Sequence, residues 1–336
     1  MTIKLGRTGL TINKNGFGAL PIQRRSISEA ALILRGAFDA GINYFDTARM
    51  YTDSEEKIGR ALGGERKQII LATKTTAADG GELNAHLETS LRFLKTDYID
   101  VYQFHNPERI PKPDDGSGLY EAALEAKNAG KIRFIGITNH RIGAAFEAAQ
   151  SGLYDTLQFP FSYISNEKEI ELVKFCEETN IGFIAMKALC GGLLNNIEAA
   201  VAFMNTQSGV APVWGIQTMD ELEKLKSAIK NENAPDAAQS AWIERERAEL
   251  QGDFCRSCGY CLPCPAGIKI FNCARMSLLL RRMPPEQWLT EQWRREMEKI
   301  NNCINCGHCK EHCPYGLDPP ALLKKNYVDY KTFLRE

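Results

Sequence analysis

Short runs of β-branched and aromatic residues alternate with longer amphipathic stretches from about residue 16 to residue 230. Eight of these runs predict strands: "GFGAL" at 16, "INYFDT" at 42, "QIILATK" at 68, "YIDVYQFH" at 98, "RFIGITN" at 133, "TLQF" at 156, "GFIAMKA" at 182 and "VWGIQ" at 213. Between two of them, Leu83, Leu87, Leu91 and Leu94 share one face of a predicted helix. Strands separated by single helices pair in parallel, and eight of them favour closure into a (β/α)8 TIM barrel. A doubly wound open sheet is the alternative.

The pattern changes after "SAIKNENAPDAAQ", where one more charged helix is predicted from Trp242 to Leu250 before a cysteine-rich region begins. We therefore predict a barrel domain over residues 1–235, a helical linker over 236–252 and a second domain over 253–336. The second domain has few long apolar runs, and this composition predicts that its folding depends on a bound metal group.

The chain has 41 basic and 42 acidic residues, so its net charge is close to zero and does not favour binding to nucleic acid or to a membrane surface. The N-terminus "MTIKLGRTGL" lacks the apolar core of a signal peptide, and no run of 18 apolar residues occurs. These features predict a cytoplasmic protein that acts on a small molecule or another protein, with no nucleic-acid or membrane partner.

Eleven cysteines in such a protein favour metal binding over a disulfide framework, because cytosolic thiols are kept reduced. Eight of them form two runs, each ending in Cys-Pro: Cys255, Cys258, Cys261 and Cys264, then Cys303, Cys306, Cys309 and Cys313. Paired C-x2-C units also make tetrahedral zinc sites, so zinc is the alternative ligand. Two triplets, each followed by a Cys-Pro, favour iron–sulfur clusters instead. The remaining Cys176, Cys190 and Cys273 are predicted to be inert, and His308 and His312 to be exposed spacers.

The second run resembles the C-x2-C-x2-C-x3-C-P pattern of bacterial ferredoxins, in which the fourth cysteine binds the other cluster. This resemblance implies two 4Fe–4S clusters in a ferredoxin-like domain. One would be held by Cys255, Cys258, Cys261 and Cys313, and the other by Cys303, Cys306, Cys309 and Cys264. The first run departs from the pattern, since only two residues separate Cys261 from Cys264.

Four polar residues lie at the ends of three consecutive predicted strands. Asp46 and Tyr51 follow the second strand, Lys74 ends the third and His105 ends the fourth. The carboxyl ends of the strands are where barrel enzymes keep their chemistry. An ammonium beside a tyrosine favours the ionised phenol and lowers its pKa, so Lys74, held by Asp46, would activate Tyr51 as an acid. His105 would then orient and polarise a substrate carbonyl.

Over residues 1–230 the chain resembles the aldo-keto reductase family. The motifs that carry this resemblance are "LGRTGLTINKNGFGAL", "FDTA" with the following Tyr and "SE", "TK", "QFH", "GKIRFIGITN" and the strand of Gln158. The resemblance implies an oxidoreductase with Asp46, Tyr51, Lys74 and His105 as its catalytic tetrad. Tyr51 would be the proton donor to a carbonyl that receives hydride from NADP or NAD.

The same resemblance implies that Thr138, Asn139 and Gln158 hold the nicotinamide carboxamide, and that Gly18, Met186, Lys187, Gly192 and Gln217 contribute to the cofactor site. Two positions depart from the family pattern: Met186 replaces a stacking aromatic residue, and Gln217 replaces an arginine that pairs with the 2′-phosphate of NADP. Loss of that charged donor weakens the case for NADP and for any dinucleotide.

Three hypotheses join the two halves, because a nicotinamide passes two electrons and a cluster passes one. In the first, the barrel is a nicotinamide-dependent carbonyl reductase or alcohol dehydrogenase that the clusters brace or couple to. In the second, the clusters relay electrons from a ferredoxin or flavodoxin to the barrel. In the third, the protein is a redox sensor or electron-transfer subunit whose barrel only binds a ligand.

Overall fold

A computed structural model describes residues 1–250 and 254–334 of the chain. Two compact units divide these residues: residues 1–188 with 197–243, and residues 189–196 with 244 onward. Across the described residues, no helix has both the length and the apolar character needed to cross a bilayer.

Eight parallel strands form a closed barrel in the first unit. They are β3 (Gly16–Gly18), β4 (Tyr44–Asp46), β5 (Ile70–Thr75), β6 (Ile99–His105), β7 (Ile132–Thr138), β8 (Thr156–Pro160), β9 (Gly182–Met186) and β10 (Val210–Gly215), after a hairpin of β1 (Thr2–Lys4) and β2 (Thr11–Asn13). Closure comes from the pairing of β10 with both β9 and β3. The predicted TIM barrel is confirmed, and the open-sheet alternative is excluded.

The hairpin, which the sequence pattern did not predict, packs its apolar residues into one end of the barrel. Leu5, Leu10 and Ile12 share a core cluster with Tyr44 and Val213 from the barrel strands. Tyr44 is the first residue of β4, so the hairpin covers the amino-terminal end of the strands. The carboxyl-terminal ends remain available for a site.

Helices connect the strands and cover the barrel through their apolar faces. They are α1 (Ile27–Asp39), α2 (Ser54–Leu62), α3 (Gly80–Leu94), α4 (Leu119–Asn128), α5 (Ile142–Gln150), α6 (Glu167–Glu178), α7 (Ile197–Asn205) and α8 (Met219–Ile229). The four leucines predicted to share a face are all buried on α3. Asp79 caps the first turn of α3 by accepting a hydrogen bond from the amide of Glu82.

The division between the two units falls within α9 (Ala237–Glu249), at residues 243 and 244. The second unit continues with α10 (Ile270–Cys273), α11 (Met276–Arg282), α12 (Glu291–Glu298), α13 (His308–Glu311) and α14 (Pro319–Phe333). The predicted junction between linker and second domain, at residues 252 and 253, lies outside the described residues. Residues 189–196 also belong to the second unit, although the sequence analysis placed them in the barrel domain.

Candidate functional site

The polar residues predicted from the strand ends lie at the carboxyl-terminal end of the barrel. Asp46 is the last residue of β4, Lys74 the penultimate residue of β5 and His105 the last residue of β6. Because the three strands are parallel neighbours, their ends meet at one edge. Tyr51 follows β4 in the connection to α2 and is half-buried.

Asp46 and Lys74 form a buried ion pair. The Lys74 Nζ donates to Asp46 Oδ2 at 2.6 Å and to the carbonyl of Thr47 at 2.6 Å. Burial lowers the pKa of the Lys74 ammonium, and the Asp46 carboxylate opposes this shift by Coulomb attraction and by its hydrogen bond. The pair holds the Lys74 ammonium in place at the carboxyl-terminal end of the barrel.

Two glutamine side chains complete the hydrogen bonding of Asp46. Gln103 Nε2 donates to Asp46 Oδ1 at 3.1 Å, and Gln158 Nε2 donates to Asp46 Oδ2 at 3.2 Å. The sequence analysis missed Gln103, whose signal is its position two residues before His105 on a strand with a side-chain period of two. Gln103 therefore helps to position the carboxylate that holds Lys74.

Tyr51 lies between His105 and Lys74. Its ring meets the imidazole of His105 edge to face, with centroids 5.7 Å apart and planes at 81°. The Lys74 Nζ is 5.4 Å from the centroid of the Tyr51 ring. All four residues of the predicted tetrad thus form one cluster.

His105 is a neutral imidazole at ordinary pH. Burial, with a further effect of the Lys74 charge, lowers the pKa of His105 from 6.5 to about 3. Its Nδ1 is buried and has no hydrogen-bond partner among the described residues. A neutral imidazole can donate one hydrogen bond to a substrate oxygen, but it is a poor source of a proton.

The three residues predicted to hold a carboxamide differ in the hydrogen bonds that they can still form. The Oδ1 of Asn139 accepts from the amides of His140 and Arg141, at 2.9 and 2.8 Å, so that acceptor is already used. The Oγ1 of Thr138 accepts from the amide of Asn106 and keeps its own proton to donate. The Oε1 of Gln158 is buried without a partner among the described residues, so it can accept from an amide.

The other predicted cofactor residues are spread over both units. Gly18 and Met186 are half-buried at the ends of β3 and β9, and Lys187 follows with a φ of 57°. The amide of Gln217 donates to Glu221 Oε2 at 2.7 Å, so a carboxylate occupies the start of α8. Gly192, with a φ of 90°, belongs to the second unit.

The eight cysteines of the two runs line two cavities in the second unit, and each run contributes cysteines to both cavities. The first cavity, about 370 Å³ including space open to solvent, is lined by Cys255, Cys258, Cys261, Cys309 and Cys313. The second, about 390 Å³ on the same basis, is lined by Cys261, Cys264, Cys303, Cys306 and Cys309. Cys313 thus meets the first run, and Cys264 meets the second.

The chemistry of these cavities fits iron–sulfur clusters. Burial raises the pKa of the Cys261 thiol to about 12 and raises that of Cys255, so the thiolates need a cation to compensate them. Within the described residues, no three or more His, Cys, Asp and Glu side chains are grouped so that they could hold a single metal ion.

The other cysteines and histidines named in the sequence analysis do not line these two cavities, except for His308. Burial raises the pKa of the Cys176 and Cys273 thiols to about 12, which agrees with their predicted inertness. His312 is exposed as predicted, but His308 is half-buried, lines the second cavity and has a buried Nε2 without a partner among the described residues. The prediction of His308 as an exposed spacer is therefore wrong.

Residues 14–243 match the model of the aldo/keto reductase family, and residues 254–318 match that of the 4Fe–4S dicluster domain. The chain is 31% identical over 253 residues to the uncharacterized oxidoreductase YqkF of Bacillus subtilis, covering 70% of this chain and 79% of that protein. It is 34% identical over 175 residues to the aldo-keto reductase YhdN of the same organism, covering 48% of this chain and 52% of that protein. The chain therefore spans about half the length of YhdN.

Solved structures show the same barrel. An aldo-keto reductase of Bacillus halodurans in its holo form superposes with a TM-score of 0.63 at 24% identity, covering 73% of this chain and 95% of that one. An aldo-keto reductase of Klebsiella pneumoniae in complex with NADPH gives 0.63 at 22%, covering 75% and 96%. At this identity the likeness concerns the fold alone. The family match over most of the barrel shows that the chain belongs to the aldo/keto reductase family, with a 4Fe–4S dicluster domain after the barrel.

Proposed function

We propose that the barrel reduces a carbonyl compound, or oxidises the corresponding alcohol, with a bound nicotinamide dinucleotide. When bound, the reduced nicotinamide supplies a hydride to the carbonyl carbon. The observation that carries the proposal is the cluster of Tyr51, His105 and the buried Lys74–Asp46 pair at one end of the barrel.

In this proposal, Tyr51 donates the proton from its phenolic Oη to the carbonyl oxygen. The ammonium of Lys74, fixed by Asp46, stabilises the tyrosinate that remains, and the barrel interior strengthens this attraction because it excludes water. His105 stays neutral and donates its single N–H to the same oxygen. Each residue thus has one role in the proton transfer.

The barrel residues that would hold the nicotinamide are those with remaining hydrogen-bonding capacity. Gln158 Oε1 would accept a hydrogen bond from the carboxamide and the Thr138 hydroxyl would donate one to the carboxamide, whereas Asn139 would shape the loop after β7. Gly18, Met186, Lys187 and Gln217 complete the proposed barrel part of the site. Because the Glu221 carboxylate lies beside the amide of Gln217, we expect NADH to serve at least as well as NADPH.

We further propose two 4Fe–4S clusters, held by Cys255, Cys258, Cys261 and Cys313 and by Cys264, Cys303, Cys306 and Cys309. Two cavities, each lined by cysteines from both runs, support this assignment. When bound, such clusters exchange single electrons, and their binding stabilises the fold of the second unit. In the reductase proposal their role is to brace that unit.

The reductase proposal predicts that anaerobically purified holoprotein will oxidise NADH or NADPH only when an aldehyde or ketone is present. Each nucleotide oxidised should yield one alcohol molecule. We expect Cys306→Ser to leave this turnover within about twofold of the parent, since the clusters do not carry the electrons. The measurement is nucleotide absorbance with product quantification across a carbonyl panel, with iron and sulfide counted on the same samples.

A second candidate function is a reductase to which the clusters deliver electrons from a ferredoxin or flavodoxin. It is favoured by Gln217 in place of a phosphate-binding arginine and by the carboxylate of Glu221 next to it. If Cys306→Ser abolishes turnover in a folded protein while reduced ferredoxin supports the parent, this candidate replaces the first.

A further inference from the structure

Arg275, between α10 and α11, is a buried cation without an acidic partner. The residue is only 6% exposed. Among the described residues, no carboxylate lies within ion-pair distance of it, whereas the other buried arginine, Arg66, pairs with Asp100 at 2.7 Å. Burying an unpaired ion is energetically costly, so a compensating negative charge is expected nearby.

The guanidinium holds the main chain of the loop Leu189–Asn196, which belongs to the same unit. Its Nη1 donates to the carbonyl of Cys190 at 3.4 Å, and its Nη2 donates to the carbonyl of Gly191 at 3.5 Å. These contacts are long and neutral, so they do not balance the charge. The Nε is buried and has no partner among the described residues.

The first cavity lies beside Arg275, because Ala274, the preceding residue, lines it together with Cys255. The Sγ of Cys255 lies 4.0 Å from the carbonyl of Phe271, four residues before Arg275. Cys255 lines the first cavity, whose cluster with its four thiolates would carry net negative charge.

We propose that Arg275 is the counter-cation of the cluster in the first cavity and that it ties this cluster to the loop Leu189–Asn196. The inference rests on the proposed clusters. It assigns to one side chain both an electrostatic effect on the reduction potential of that cluster and a structural effect on the loop.

A positive charge beside a cluster favours its reduced, more negative state, so Arg275 raises the reduction potential. Removal of the charge in Arg275→Gln should move one of two reduction waves to lower potential and leave the other in place. We expect about a tenfold change in the ratio of reduced to oxidised cluster at a fixed potential, which is about 59 mV for one electron. The measurement is an EPR-monitored redox titration of the anaerobic holoprotein.

The loop gives a second, independent readout. Arg275→Gln should accelerate amide hydrogen exchange in residues 189–196, measured by mass spectrometry on the same preparation. Arg275→Lys keeps the charge but cannot hold both carbonyls, so it should retain the parent potential and still speed the exchange.

Two control variants separate these effects. Arg281→Gln removes the same charge from an exposed arginine of α11 that pairs with Asp329, and it should shift neither wave. Asn195→Ala removes the contact of its Nδ2 with the carbonyl of Arg282, and it should loosen the loop at unchanged potentials.

The proposal is overturned if Arg275→Gln shifts neither wave or both equally, or if Arg281→Gln shifts one as far. If Arg275→Gln loses half of its iron, Arg275→Lys decides the matter: two clusters with the parent potentials support the proposal, and any other result contradicts it. Absence of iron and sulfide in the parent would refute the clusters themselves, before any variant is compared. Failure of carbonyl reduction would leave both readouts intact, because neither uses a substrate.

Discussion

Tyr51→Phe is expected to abolish carbonyl reduction almost completely. The change removes the phenolic proton but keeps the ring that packs edge to face on His105. Loss of a positioned general acid costs about 10²- to 10⁴-fold in rate. Neutral His105 should not replace it, because burial holds its pKa at about 3. The measurement is the steady-state rate with saturating nucleotide and carbonyl, together with a nucleotide-binding titration that should be unchanged.

The matched control is Tyr44→Phe, the same change at the first residue of β4, at the opposite end of the barrel. The Tyr44 hydroxyl is buried and has no partner among the described residues, so its removal should cost neither stability nor activity. A Tyr51→Phe protein that keeps a rate within a few-fold of the parent would remove Tyr51 from the role of proton donor.

Asp46→Asn is expected to destabilise the barrel by about 3–5 kcal/mol, since it leaves the ammonium of Lys74 buried without its partner. The loss should be larger at neutral pH than at alkaline pH, where Lys74 of the variant can lose its proton. Burial lowers the pKa of Lys74 below 10.5, its ordinary value, so the unfolded chain binds the proton more tightly. In the variant, which lacks the opposing effect of Asp46, the free energy of unfolding therefore rises with pH, and the deficit shrinks as pH rises through the lowered pKa of Lys74. Urea unfolding at several pH values measures both effects.

The double variant Asp46→Leu with Lys74→Met is the control for this prediction. With both charges removed, no ion is left buried alone, and stability should return to near the parent value although activity does not. A single Asp46→Asn variant as stable as the parent at neutral pH would show that the pair contributes little to the fold.

The parts of the fold that sequence could predict are those with a strong local signal. Strand positions followed from the apolar runs, and the tetrad followed because parallel strands bring their carboxyl ends together. The β1–β2 hairpin was missed because its strands, "TIK" and "TIN", contain one apolar residue each and so form no apolar run. Side-chain direction also escaped the sequence: neither the role of Gln103 nor the occupied amide oxygen of Asn139 follows from residue type.

The assignment of residues 189–196 to the second unit could not be predicted because it depends on contacts across long sequence separations. Arg282 donates to the carbonyl of Leu193, 89 residues away, and Arg275 reaches Gly191 across 84. No spacing pattern reports such contacts. The cluster cysteines, in contrast, could be predicted. Their spacing alone indicated clusters, and the ferredoxin resemblance implied that each cluster takes cysteines from both runs.

The most direct test of the account is the fate of the hydrogen at C4 of the reduced nicotinamide. The holoprotein would be given a carbonyl substrate with nucleotide deuterated at C4, using each of the two labelled epimers in turn. Direct transfer in the barrel predicts that one epimer yields an alcohol with deuterium on its carbinol carbon. If both epimers give alcohol without deuterium, the carbinol hydrogen comes from solvent, and direct hydride transfer in the barrel, the central claim, is contradicted.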